Sequence, residues 1–174
     1  MQKWIPDDQK RITTLLISIA VLISACATAS LSGYVDATAW SANYTEDYIR
    51  EFHIETASGR DTGLEGIQVQ EFSKGGIGGR ECCSRIPGPG QTVRVVWTVA
   101  NTDEKAQWKT YSRVTVVTGS MPKDKDAYNI LMIRFFPEHE VEAELIPDRG
   151  KTGLPSPRVD KLFYGQRVMR QMGE

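Results

Sequence analysis

The chain has 174 residues and a formal net charge of −1 at pH 7, with 40% hydrophobic and 25% charged residues. Such a balance provides no electrostatic basis for binding nucleic acid, so we predict no nucleic-acid partner. The hydrophobic fraction and the four tryptophans are typical of a folded globular domain and exclude a disordered tail.

The N-terminus carries an uncharged, mostly apolar segment at residues 12–25, directly after Lys10 and Arg11. As a helix this segment would reach only about 21 Å, short of the roughly 30 Å hydrocarbon core of a bilayer. A basic start, a short apolar middle and small residues at the end are typical of a secretory signal peptide. We therefore predict that residues 1–25 are a signal peptide.

Residues 22–26, Leu-Ile-Ser-Ala-Cys, resemble the lipobox of bacterial lipoproteins, which is cut before a cysteine that carries lipid. The resemblance implies that Cys26 bears fatty acyl groups such as palmitate and that residues 26–32 form a tether. Such chains hold a protein on a membrane by about 0.8 kcal/mol per buried methylene. Ala27 implies sorting to the outer membrane, facing the periplasm, rather than retention at the inner membrane. An ordinary signal peptide that happens to contain a cysteine is the alternative.

Residues 33–174 are expected to form a single domain in which apolar residues alternate with period two. Strands are predicted at residues 34–44, 48–54, 92–100, 108–118, 129–136 and 140–145. The clearest alternation is in the strand at 92–100, where the side chains of Val93, Val95, Trp97 and Val99 lie on the same face. The strand at 129–136 is nearly all apolar and is expected to be central.

A turn at residues 137–139 is expected to lead into a half-buried last strand. There Val141, Ala143 and Leu145 face the core, while Glu140, Glu142 and Glu144 face water. This acidic row is either an ordinary solvated face or an edge that steers a basic partner.

Glycine and proline mark the segments that are predicted to be irregular. They are residues 58–79, which end in a glycine-rich run, residues 82–90, and an arm at 147–157. One short helix is possible at residues 159–172. Together these elements predict a mainly-β, antiparallel β-sandwich-like domain with a glycine-rich loop.

Cys82 and Cys83 are neighbours in the chain, so their Cα atoms lie about 3.8 Å apart, below the usual disulfide range. Two alternatives remain, a vicinal disulfide or two buried thiols that pack as small hydrophobic residues. The C-x-x-C spacing of redox enzymes is missing.

Motifs for catalysis are scarce in the sequence. The glycine run lacks phosphate-loop spacing, and no G-x-S-x-G nucleophile motif occurs. The two histidines, His53 and His139, are both expected at the surface. We therefore predict a protein that is not an enzyme and needs no cofactor or metal.

Four segments carry a resemblance to a known family. They lie at residues 43–52 (Asn-Tyr-Thr-x-x-Tyr-Ile-x-x-Phe), 75–87 (Gly-Gly-x-Gly-Gly-x-x-Cys-Cys-x-x-Ile-Pro), 93–97 (Val-x-Val-x-Trp) and 133–137 (Ile-x-Phe-Phe-Pro). In this order they resemble Gram-negative envelope lipoproteins of formerly unknown function. Members are understood as immunity proteins against phospholipase effectors of the type VI secretion system.

The resemblance implies a protein that binds such a phospholipase and covers its active site. Loops enter enzyme clefts, so the glycine-rich loop is the expected contact, with Lys74, Gly75, Gly76, Ile77 and Arg80 as partner-binding residues. The alternative is a non-catalytic structural or assembly lipoprotein of the cell envelope.

Overall fold

The computed structural model describes residues 33–78, 81–100, 108–124 and 128–147. Eight strands are present: β1 Tyr34–Asn43, β2 Tyr48–Thr56, β3 Asp61–Val69, β4 Glu81–Pro87, β5 Thr92–Ala100, β6 Lys109–Gly119, β7 Asn129–Phe136 and β8 Glu140–Pro147. Short 3-10 turns occupy Phe72–Lys74 and Pro137–His139. The predicted signal peptide, Cys26, the tether, Arg80 and the helix at 159–172 lie outside the described residues.

The strands form one sheet in the order β3-β2-β5-β6-β8-β7-β1-β4. The prediction of a mainly-β domain is confirmed. The sheet is mixed rather than purely antiparallel, because β1 pairs with β7 and β6 pairs with β8 in parallel. The predicted antiparallel sandwich has no such parallel pairs. The sheet curls until its two edge strands meet, where the Ser84 hydroxyl donates to the Gly63 carbonyl oxygen at 2.8 Å. In the described ranges no helix is long and apolar enough to cross a membrane.

Strands β3 and β4 occupy segments that the sequence predicted to be irregular. In β3 the misleading residue is Gly66, which lies directly opposite Phe52 of β2. A Cβ atom at Gly66 would lie 2.5 Å from the Phe52 ring, so the ring covers the glycine backbone. An aromatic side chain across from a strand glycine compensates for the missing side chain. Glycine here therefore supports a strand rather than a loop.

The core fills the inside of the curled sheet, where Phe135 packs between Phe52 and Trp97 with ring centroids 5.5 and 5.6 Å apart. Every residue of β7 is buried, which confirms that this strand is central. Of the inward positions predicted for β5 and β8, all but one are buried, namely Val93, Val95, Trp97, Val141, Ala143 and Leu145. Val99 is partly buried and packs against the core.

Strand β2 departs from simple alternation. The period-two spacing of Tyr48, Phe52 and Ile54 predicts that all three share a face, but the register with β5 shifts between Ile49 and Glu51. Such a bulge changes which side chains point inward. Ile49 is therefore the buried residue at this position, and Tyr48 is partly exposed.

The acidic row of β8 is not a solvated face. Glu142 lies opposite Arg134 of β7, whose side chain is only 1% exposed. The Arg134 Nη1 atom lies 2.7 Å from Glu144 Oε2 and 3.6 Å from Glu142 Oε2. These contacts are ion pairs without hydrogen-bond alignment. The two carboxylates offset the positive charge of the buried guanidinium. Glu140 pairs instead with Arg113 of β6.

The sheet has two distinguishable ends. We call the end at which β1 begins the near end, and it also holds the turns at 88–91 and 120–122. The opposite end, which we call the far end, holds the turns at 44–47, 70–78 and 137–139. The chain bends at 45–47 between β1 and β2, and the predicted turn at 137–139 is confirmed.

Candidate binding surface

Asn43 organises the far end from a buried position at the end of β1. Its Nδ2 donates to the carbonyl oxygens of Asp47 and Gln70 at 2.7 and 3.0 Å. Its Oδ1 accepts from the backbone N–H and the hydroxyl of Thr45 at 3.0 and 2.8 Å. A side-chain amide offers two donor hydrogens and two acceptor positions, and all are used here. The amide therefore joins the turn after β1 to the start of the glycine-rich loop.

We expect Asn43→Asp to lower the free energy of unfolding by about 2–3 kcal/mol, because it removes two donors and places a carboxylate against two carbonyl oxygens. Urea denaturation of the mature protein measures the change. Glu51→Gln, an equally small change of charge at an exposed site of β2, should stay within about 0.5 kcal/mol of the wild type. Equal stability of the two variants would contradict the proposed role of the amide.

The glycine-rich loop packs onto the end of β1 instead of projecting from it. The Asn43 N–H donates to the Gly76 carbonyl oxygen at 2.7 Å, and a Cβ atom at Gly76 would lie 2.6 Å from the Asn43 carbonyl oxygen. A Cβ atom at Gly78 would collide with the Ser41 hydroxyl. Glycine is needed where two backbones approach this closely. These glycines therefore have a packing role.

The predicted contact residues of the loop occupy different environments. Gly76 is buried, Gly75 and Ile77 are partly buried, and Lys74 is exposed. The Lys74 ammonium lies 2.8 Å from Glu71 Oε1, and this hydrogen bond holds the pKa of Glu71 below its ordinary value, while burial acts in the opposite direction. Of the predicted contacts that the structure describes, Lys74 is the one that is exposed, and its ammonium is already paired with Glu71.

Cys82 and Cys83 are joined to each other by a disulfide on the edge strand β4, the first of the two alternatives. Both residues are exposed, so they do not act as buried hydrophobic side chains. The Thr38 hydroxyl of the neighbouring strand lies 3.3 Å from Cys83 Sγ.

The two histidines lie in separate places. His53 is on the outer face of β2, with Nε2 3.5 Å from Glu55 Oε1. His139 is exposed in the hairpin, where its ring stacks on Tyr111 with centroids 3.8 Å apart. Glu138 and His139 both have positive φ, a strained conformation for residues other than glycine. Within the described ranges, no three His, Cys, Asp or Glu side chains form a potential metal site.

Strand β6 and the residue before it carry three large apolar side chains that are more than half exposed. Trp108, which precedes the strand, is 57% exposed, and Val114 and Val116 are 55% and 51% exposed. All three occupy even-numbered positions, so they share the outer face of the strand, and we call this surface the β6 face.

Arg50 of β2 extends to the β6 face. Its guanidinium carbon lies 3.7 Å from the centroid of the Trp108 ring. A cation over an indole ring stabilises both side chains and holds the ring in place. Tryptophan and arginine are also the residues most enriched at the energetic centres of protein interfaces. The β6 face therefore presents an aromatic ring with one positive charge at its start and two exposed valines further along, with the polar side chains of Thr110 and Ser112 between them.

The sequence alone does not separate the β6 face from the core. The strand predicted at 108–118 contains Tyr111, Val114, Val116 and Val117, and their spacing does not show which of them point inward. Val117 is buried, whereas Val114 and Val116 are not. The alternation along β6 does divide these residues into two sets, one on each side of the strand. The sequence does not show which of the two sets faces the core.

The described residues thus define a mainly-β domain with an exposed face that bears tryptophan and arginine. The chain belongs to the family described as "Protein of unknown function (DUF3304)", whose model matches residues 42–143. Among curated proteins and among solved structures, none matches the chain.

The segments that carry the family resemblance are largely buried. Tyr44 stacks on Phe136 with ring centroids 5.0 Å apart, and Phe52, Trp97 and Phe135 share the main core. The glycine run packs against the end of β1, as described above. The buried motif residues therefore specify packing, whereas Cys82 and Cys83 are exposed. The β6 face lies between the last two motifs in the sequence.

Proposed function

We propose that this protein is a periplasm-facing lipoprotein that binds a phospholipase effector of the type VI secretion system and covers its active site. The observation that carries the proposal is the β6 face, with Trp108 held against Arg50 on an exposed sheet surface. The resemblance of the family motifs supplies the identity of the partner.

The position of the predicted anchor supports this assignment. Seven residues, 26–32, separate the lipidated Cys26 from Gly33 at the near end. An extended chain of that length spans at most about 25 Å. The anchor therefore keeps Gly33 within about 25 Å of the membrane. Trp108 lies at the opposite end of the sheet from Gly33, where the tether does not obstruct a partner.

The proposed mechanism is steric occlusion. Stable complexes bury about 800 Å² on each partner, so the interface would extend from the β6 face to neighbouring positions on β5 and β2. A hydrogen-bonded sheet loses little conformational freedom on binding, which leaves more of the interaction energy as affinity. Covering the mouth of a lipase excludes phospholipid without any chemistry by the inhibitor.

The direct test is complex formation between the mature protein and a phospholipase effector of the type VI secretion system. We expect co-elution at micromolar concentration and loss of phospholipid hydrolysis in vesicles, because the bound protein blocks substrate entry. An unrelated lipase should stay active in the same assay. Absence of co-elution, together with envelope defects on gene deletion without any attacker, would favour a structural lipoprotein instead.

A second test separates anchoring from binding. Cys26→Ser should abolish palmitate labelling and membrane attachment, and with them protection of the cell, because the acyl chains supply the anchor. Binding of the phospholipase in solution should not change, because the β6 face is intact. Ser30→Ala in the same tether should retain labelling and protection. Full protection by Cys26→Ser would contradict the need for an anchor.

A further inference from the structure

Three large apolar side chains are exposed at the near end. Tyr34 is 41%, Met121 40% and Tyr128 44% exposed. Tyr34 lies at the start of β1, and Tyr128 directly precedes β7, the parallel neighbour of β1. The Asn129 amide donates to the Asp36 carbonyl oxygen at 3.0 Å, which places the starts of the two strands side by side.

Met121 lies beside the same strand start. The Gly88 N–H donates to the Gly33 carbonyl oxygen at 3.2 Å, and a Cβ atom at either glycine would contact the Met121 side chain. Met121 therefore packs over the backbone that directly precedes Tyr34. We call Tyr34, Met121 and Tyr128 the near-end rim.

We propose that the near-end rim rests on the surface of the lipid bilayer in which Cys26 is anchored. The proposal relies on the anchor of the proposed function but not on phospholipase binding. The tether of residues 26–32 limits the distance between Gly33 and the membrane to about 25 Å, so the rim and the lipid surface meet at high effective concentration. Tyrosine favours this environment because its ring is apolar and its hydroxyl remains hydrated.

Charge plays a minor part in this contact. Lys123 is exposed in the segment that follows Met121, but Asp124 beside it offsets its charge. The net attraction to anionic headgroups is therefore small, and apolar contact of the rim dominates. Two contacts, the acyl chains and the rim, fix the orientation of the domain, whereas acyl chains alone would leave it free to rotate.

The test uses the lipidated mature protein in bilayer discs that contain lipid with a spin-labelled headgroup. Broadening of backbone amide signals in NMR spectra reports proximity to the label. We expect broadening at Tyr34, Met121 and Tyr128 and none at Trp108 or His139. The triple variant Tyr34→Ser, Met121→Gln, Tyr128→Ser should stay attached through Cys26 yet lose the broadening at positions 121 and 128.

A matched control is Ile67→Ser, which removes an exposed apolar side chain from β3 toward the far end and should leave the pattern unchanged. Wild-type protein that floats with vesicles but shows no broadening at the rim would overturn the proposal alone. So would an unchanged pattern in the triple variant, or a dimer in sedimentation that buries the rim. Wild-type protein that fails to float would overturn the anchor and the rim contact together, whereas loss of phospholipase binding alone would refute only the inhibitor function.

Discussion

Gly119→Ala is expected to lower the free energy of unfolding by about 2–5 kcal/mol, the sum of a left-handed backbone cost and overpacking. Gly119 has φ of +93°, and a Cβ atom there would collide with the Leu145 carbonyl oxygen. It ends the parallel ladder between β6 and β8, in which residues 117–119 lie opposite 143–145. That ladder joins strands β3, β2, β5 and β6 to the other four, so a collision there weakens the junction of the whole sheet.

Gly90→Ala is the matched control for this prediction. Gly90 has a similar φ of +84°, but nothing lies within 4 Å of the position of its Cβ atom. Only the backbone cost of about 1–2 kcal/mol should therefore appear. Urea denaturation of both variants measures the difference, which isolates the collision with Leu145. Equal losses would show that the β6–β8 junction tolerates the extra carbon.

Trp108→Ala is expected to weaken binding of the phospholipase by about 30-fold or more, the effect of removing an interface hot spot of 2 kcal/mol. The ring is more than half exposed, so the free energy of unfolding should change by less than about 0.5 kcal/mol. Calorimetric titration with the purified phospholipase measures the affinity, and urea denaturation checks the stability.

Two further variants sharpen this prediction. Tyr128→Ala removes another exposed aromatic ring, at the near end, and should bind as the wild type does in solution. Arg50→Ala should also weaken binding, and its effect should not add fully to that of Trp108→Ala, because the two side chains contact each other. Unchanged affinity of Trp108→Ala would show that the phospholipase binds elsewhere.

Much of the sheet could be predicted from the sequence, because buried strands alternate strongly in hydrophobicity. Strands β5 and β8 are predictable together with their inward faces, and β7 is predictable as a central, nearly all-apolar strand. The edge strands β3 and β4 were missed, since Gly66 resembles a loop residue until its partner Phe52 is known. The hydrophobic alternation within a strand does not show which distant strand it pairs with. The parallel pairing of β1 with β7 could therefore not be predicted from the sequence.

The candidate surface was harder to predict than the fold. The glycine-rich loop was expected to contact a partner, yet Gly76 and Gly78 are needed for close packing against β1. The most recognisable motifs are those that hold the domain together. The exposed tryptophan on β6 carries no motif, and its role depends on which side of the strand faces solvent.

The pairing of β1 with β7 has a consequence for the order of folding. Thr38 lies opposite Ile130, so the first strand of the domain has no parallel neighbour until most of the chain has been synthesised. Contacts between such distant positions carry a large loop-closure cost and slow folding, typically to milliseconds or longer. The newly synthesised polypeptide therefore remains unfolded for longer than a β-protein in which each strand pairs only with the next strand in the sequence.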